Sequence, residues 1–96
     1  MKLLRIVHSH LPDKKYDAVF ETDTGRTKTV PFGAKGMDDY TITKNKEQRE
    51  RYRTRHHKDL QTGEPTRAGY LSYWILWGDS TSMAANIAAY KRRYGF

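Results

Sequence analysis

Tyr16, Ala18 and Phe20 alternate with Asp17, Val19 and Glu21. That two-residue alternation is the period of a strand with one buried face. A second alternating run follows Asp23-Thr24-Gly25 and places Lys28, Val30 and Phe32 on one side. Asp-Thr-Gly between two such runs predicts a type I turn closed by a left-handed Gly25, a common short hairpin connection. Pro31 has no N–H to give to a ladder, so the second strand lies at a sheet edge or ends there. Upstream, Lys2 to His8 carries β-branched Ile6 and Val7 and reads as a further short strand, broken at Leu11-Pro12-Asp13.

After Phe32 the period changes. Gly33 to Gly36 is a joint, and Met37 to Thr43 leads into a polar segment from Lys44 to Lys58, K-N-K-E-Q-R-E-R-Y-R-T-R-H-H-K. Lys, Glu, Gln and Arg favour a helix, and neither Gly nor Pro interrupts them. Asn45 followed by Gln48 has the form of an N-cap with its partner at N3. Tyr52 is the only large hydrophobic side chain, so this helix has no stripe to bury in a core. It is either a solvated connector or a surface for an acidic partner.

Thr62-Gly63-Glu64-Pro65 reads as a loop, and Thr66 as the cap of a helix from Arg67 to Trp77. There Tyr70, Leu71, Trp74 and Ile75 form one face, while Tyr73, Leu76 and Trp77 nearly complete the circle. A segment apolar all round is buried, in its own core or against a partner. Eight such residues also suit a strand, but Gly78 as a stop and Asp79–Ser82 as caps favour helix. A last helix carries Met83, Ile87, Tyr90 and Tyr94 at helical spacing, with Ala84 and Ala88 on a narrow side. The predicted fold class is α+β: a small antiparallel sheet with an N-terminal β-hairpin, followed by three helices. Residues 1–36 form the β-rich part and 37–96 the helical part of a single domain.

Charge singles out one element. The chain of 96 residues has a formal net charge of +7 and a pI near 9.8. Seven of its 18 basic side chains lie between Lys44 and Lys58, with only two glutamates among them. A cationic surface concentrated in one helix implies an acidic partner: nucleic acid, an anionic membrane face or an acidic protein. Lys46, Arg49, Arg53 and Lys58 fall close to one side, with Arg51 and Arg55 one turn apart on another. Arginine suits planar, bidentate contact with phosphate. The bland alternative is a solvated helix supported by the Glu47–Arg51 pair. Because Arg49, Arg51, Arg53 and Arg55 belong to no recognisable core, changing all four to Gln is expected to leave folding nearly intact.

Other chemistry is thin. The absence of cysteine excludes disulfides and thiolate metal sites and points to an intracellular site of assembly. His8, His10, His56 and His57 do not have the spacing of a three- or four-ligand metal set, and no cofactor is expected. Asp38-Asp39 is the one carboxylate pair, and neighbours on an extended chain point to opposite faces. Ser80, Thr81 and Ser82 sit where caps belong, without a nucleophile context. The glycines are scattered as turn residues. An enzyme is not expected. The aromatics of the last 27 residues read mainly as core, Tyr70 and Trp74 above all, so Trp74→Ala is expected to be severe. No apolar run is long enough to span a bilayer, and the N-terminus lacks a signal-peptide core.

Several stretches carry a resemblance. They are Lys15–Phe20, Lys28–Ala34, Asp39-Tyr40-Thr41, Arg49–Tyr52, Arg55-His56, Pro65–Gly69, Trp74–Trp77 and Tyr90–Tyr94. In this order they resemble a small family of unknown function from nucleocytoplasmic large DNA viruses of algae and protists. The resemblance leads one to expect Asn or Lys after the second Trp, where this chain has Gly78-Asp79. It implies a viral setting, in the virion or a host-cell viral factory and not secreted, but no activity. Two non-enzymatic expectations follow. In one, the protein binds viral nucleic acid, without sequence preference, through Lys46, Arg49, Arg51, Arg53, Arg55 and Lys58, helped by Lys91, Arg92 and Arg93. In the other, it is a minor capsid or virion component whose arginines dock on acidic capsid surfaces.

Overall fold

A computed structural model describes residues 1–96. Three strands, β1 (Lys2–His8), β2 (Lys14–Glu21) and β3 (Thr27–Ala34), form one antiparallel sheet in the order β1-β2-β3. Pro31 therefore lies on an edge strand, as a residue without an N–H must. The β2–β3 turn is the expected one: the Gly25 N–H donates to the Thr22 carbonyl at 2.9 Å, and Gly25 has φ +82°. A register shift between Leu3 and Arg5 puts a bulge in β1.

Leu3, Ala18, Phe20 and Phe32 are buried with Leu71, Ile75, Leu76, Trp77 and Tyr90 in one apolar core. The helices thus cover one face of the sheet. On the other side of β2, Asp17 and Val19 are buried as well, at 5% and 7% exposure. The alternation predicts one buried face; the central strand of three is also shielded by its neighbours' side chains. Asp17 accepts hydrogen bonds there from the Ser9 hydroxyl (2.6 Å), the His10 backbone N–H (3.2 Å) and the His10 imidazole. Burial works to raise its pKa, but these bonds and the His10 charge outweigh it and hold the carboxyl below its ordinary value.

The first helix, α1 (Tyr40–Thr43), is capped by Asp39, whose side chain accepts from the Thr41 N–H. Lys44 ends it in a left-handed conformation, φ 56°. Helix α2 (Lys46–His56) then starts on Asn45, whose side-chain oxygen accepts from the Gln48 N–H at 3.0 Å. The polar helix is therefore shorter than Lys44–Lys58. Lys44 belongs to the preceding stop, and Lys58 lies in a 3-10 turn over His57–Thr62.

Helix α3 (Ala68–Leu71) runs on into a π-helix over Ser72–Leu76, where the Trp77 N–H donates to the Ser72 carbonyl at 3.0 Å. Tyr70–Trp77 is thus helical, with its second half wider than an α-helix. Helix α4 (Met83–Tyr94) is capped by Ser82 and closed by a left-handed Gly95. Tyr70 is buried; Trp74 and Met83 are half-buried against the core. Thr66 does not cap α3. It is buried, and its hydroxyl accepts from the Lys28 ammonium at 3.0 Å, while Arg67 holds the N-cap position without a side-chain capping bond.

Gly78 is required by proximity. A Cβ there would lie 2.2 Å from the Trp74 carbonyl oxygen and 2.6 Å from the Asn86 side chain. Asn86, 2% exposed, donates its amide to the carbonyls of Ile75 (2.9 Å) and Ser80 (2.7 Å) and accepts from the Ser80 N–H (3.0 Å). It ties the end of the π-helix to α4. An Asn in the middle of A-A-N-I-A-A is the signal that reveals it, because Asn is a poor helix former unless its side chain has work elsewhere. No helix is long and apolar enough to cross a membrane.

Candidate functional site

Helix α2 has two different sides. Arg49, Tyr52, Arg53 and His56 are buried or half-buried, whereas Glu47, Arg51, Thr54 and Arg55 are exposed. Arg49 is only 8% exposed. Its Nη1 donates to the Asp79 carbonyl (3.2 Å), its Nε and Nη2 to the Glu50 carboxylate, and its guanidinium lies over the Tyr40 ring. Arg53 donates from Nε to the Trp77 carbonyl and from Nη2 to the Asp79 carboxylate, each at 2.9 Å.

The reading that the four arginines of α2 belong to no core is therefore corrected for two of them. The end of a helix leaves carbonyls without an intrahelical partner. Here Arg49 and Arg53 take up the carbonyls of Asp79 and Trp77. A guanidinium does this well, having five donors in a plane and flat faces that pack on aromatic rings.

The remaining cations named by the sequence are exposed: Lys46, Arg51, Arg55, Lys58, Lys91, Arg92 and Arg93. None of these has a carboxylate partner; of the 18 basic side chains only Lys15, Arg49, Arg53 and Arg67 do. Lys91, Arg92 and Arg93 occupy the last turn of α4, where the negative end of the helix dipole favours positive charge. The Arg93 guanidinium lies 3.8 Å from the centroid of the Trp74 ring, and that of Arg53 lies 5.5 Å from it. One indole thus joins α2 to the end of α4, and the cations of both helices belong to neighbouring surface.

On the same side of α2 as Arg49 and Arg53 an aromatic column is built. His56 stacks on Tyr52 at 4.1 Å, and Tyr52 on Trp77 at 4.4 Å and 8°. Burial, with the nearby Asp59 charge, pushes the Tyr52 hydroxyl up to about 12. His56 is oriented by the Asp59 carboxylate, 3.1 Å from Nδ1. Beside the column opens a cleft of about 490 Å³ between the end of β3, the following loop, α2 and the π-helix. Lys15 and Asp39, 12% and 2% exposed, form an ion pair of 2.6 Å in its wall. Gly33, with φ +78°, brings β3 so close that a Cβ would lie 2.8 Å from Leu76.

Sequence reasoning did not find this cleft, since its walls come from segments far apart in the chain. The adjacent carboxylates both line the cleft and differ in exposure: Asp39 is buried as a cap and Asp38 is exposed. The histidines sit apart, with His8 on Tyr16 and His10 on Asp17. No three His, Asp or Glu side chains converge as a metal set. The arrangement can hold anions on exposed cations and a small ligand in the cleft.

Comparison with curated proteins and with solved structures finds no match. Residues 4–56, which run from β1 to the end of α2 and make up more than half of the chain, match a family of unknown function, DUF5754, and the protein belongs to that family.

Proposed function

We propose that this is a non-enzymatic nucleic-acid-binding protein that grips phosphates without reading sequence. The contacts are Lys46, Arg51, Arg55 and Lys58 on and after α2, with Lys91, Arg92 and Arg93 at the end of α4. The observation that carries this reading is the division of labour within α2. Arg49 and Arg53 fasten the helix to residues 77–79, while Arg51 and Arg55 are exposed without a carboxylate partner. Phosphate recognition needs unpaired cations on a rigid element, and each neutralised phosphate releases counterions. The setting that goes with it is a large DNA virus, with its genome or transcripts as partner.

A second reading, a virion component docked on an acidic capsid protein, draws on a separate observation. The edge strand β1 leaves Leu4 and Val7 each 42% exposed, apolar area that a protein partner would cover.

Binding to unrelated DNA sequences, followed over a range of salt, tests the proposal. Changing Arg51, Arg55 and Lys58 together to Gln should weaken binding to all sequences alike and flatten the salt dependence by about two to three units. An unchanged slope would end the nucleic-acid reading. Weak, salt-insensitive DNA binding, with the variant failing to enter virions, would select the capsid one.

A further inference from the structure

We infer that the cleft beside the Tyr52–Trp77 stack is a site for a single nucleotide whose base carries an exocyclic amino group. This rests on the nucleic-acid reading above and assigns it a pocket that the exposed cations alone do not supply. A volume of about 490 Å³ lies in the range of sites that enclose one small ligand. Its apolar wall is made by Leu76 and the edges of the Tyr52–Trp77 stack, the Tyr52 faces being covered by His56 and Trp77, and Met37 stands at the rim, 65% exposed. A thioether is an adaptable cover for an aromatic ring.

The polar groups of the cleft divide into those already used and those left over. Lys15 and Asp39 satisfy each other. The Gln48 side-chain oxygen accepts from the Thr43 hydroxyl at 2.9 Å, so its amide hydrogens remain to donate. Asp38 and Arg55 both line the cleft, and neither has an ion-pair partner within the protein. A ligand that complements these leftovers has a ring for the exposed Met37 thioether to cover, an N–H donor for a carboxylate, acceptors for an amide and an anionic group for a guanidinium. A nucleotide meets all four demands. Carboxylates accept from the amino group of cytosine, and the amino group of adenine offers the same hydrogen. Uracil and thymine present a carbonyl at that edge and would meet the Asp38 carboxylate oxygen to oxygen. The phosphate falls to Arg55, the kind of charge-assisted contact that arginine makes best.

The π-helix belongs to the same design. In an α-helix, residues five apart diverge by about 140° around the axis. The wider turn closes its hydrogen bond between residues five apart, so Ser72 and Trp77 both line the cleft.

The test uses the intact protein and amide-correlated NMR, with cytidine and uridine monophosphates as ligands and inorganic phosphate as control. Cytidine monophosphate should shift the Trp77 indole N–H and the amides of Met37 and Arg55 while leaving Lys91 and Arg92 in place. Uridine monophosphate should bind at least about fivefold more weakly, Asp38→Asn should remove that preference, and Arg55→Gln should weaken binding about tenfold. Equal binding of both nucleotides, shifts reproduced by phosphate alone, or shifts confined to α4 would each overturn the inference. The two proposals fail separately. Asp38→Asn should leave salt-dependent binding of duplex DNA unchanged, and loss of duplex binding with cytidine monophosphate still seated would overturn only the surface reading.

Discussion

The Nε of Arg53 donates to the carbonyl oxygen of Trp77 at 2.9 Å, across 24 residues of sequence. With the Arg49 bond to the Asp79 carbonyl, it makes two of the charges on α2 part of the framework. An acceptor left unpaired in a buried place costs about 1–3 kcal/mol. We therefore expect Arg49→Gln with Arg53→Gln to lower the melting temperature by several degrees. In a domain of this size each kcal/mol is worth roughly 4–8 °C. Arg51→Gln with Arg55→Gln should stay within about 0.5 kcal/mol per site. Thermal denaturation of the two double variants side by side decides the matter, and equal melting temperatures would remove the structural role of Arg49 and Arg53.

Asn86 and Gly78 form a second test of packing. Asn86→Ala strips partners from the carbonyls of Ile75 and Ser80 and from the Ser80 N–H. A loss of about 2 kcal/mol or more is expected. Gly78→Ala forces a methyl group into contact at 2.2 Å with backbone oxygen, which overpacks the site at a cost of about 1–3 kcal/mol. Chemical denaturation midpoints report both, and a neutral Gly78→Ala would mean that the π-helix and α4 can separate there.

The two tryptophans should differ. Trp77 is 7% exposed in the core and stacked on Tyr52, so Trp77→Ala is expected to cost roughly 3–5 kcal/mol. Trp74 is half-buried beneath Arg93, and Trp74→Ala should cost clearly less. The ranking of their denaturation midpoints checks this; the reverse order would return Trp74 to the core that its spacing suggests.

Asp17 makes acid stability informative. Its folded-state pKa lies below the ordinary value of 3.8, so the unfolded chain takes up the proton first as pH falls. The stabilisation is complete above about pH 4 and is lost as pH drops through the folded-state value. Asp17→Asn should therefore be less stable than the parent at neutral pH, with the difference shrinking below pH 4. A gap that stays constant down to pH 2 would mean that the carboxylate charge contributes nothing.

What could be read from the sequence was local. The alternation from Tyr16 to Phe32, the turn at Gly25, the Asn45 cap and a cap within Asp79–Ser82 each depend on neighbours within a few residues. The structure places them as expected. Thr66 and Lys44 were legible as to type but not as to task, because a hydrogen bond to Lys28 and the stop of α1 compete with helix capping and continuation. The two roles of the α2 arginines stayed hidden for a deeper reason. Hydrophobic periodicity registers apolar side chains, and Arg49 and Arg53 are buried through hydrogen bonds and ring contacts with segments 24 to 30 residues away. The cleft is likewise a product of long-range assembly, and no window of sequence contains it.

The wide turn over Ser72–Leu76 has a consequence for chain length. A π turn accommodates one residue more than an α turn between the same hydrogen-bonding ends, so the distance in sequence from Pro65 to Gly78 is itself informative. A homologous chain one residue shorter in this interval would close the turn as an ordinary α-helix and keep the residues before and after it in the same register. Tyr70 and Leu71 would still face the core and Gly78 would keep its contact with Asn86, while the wide turn that lines the cleft would be gone. A single-residue gap in this interval, rather than any substitution, would mark the members of the family in which the wall of the cleft is built differently.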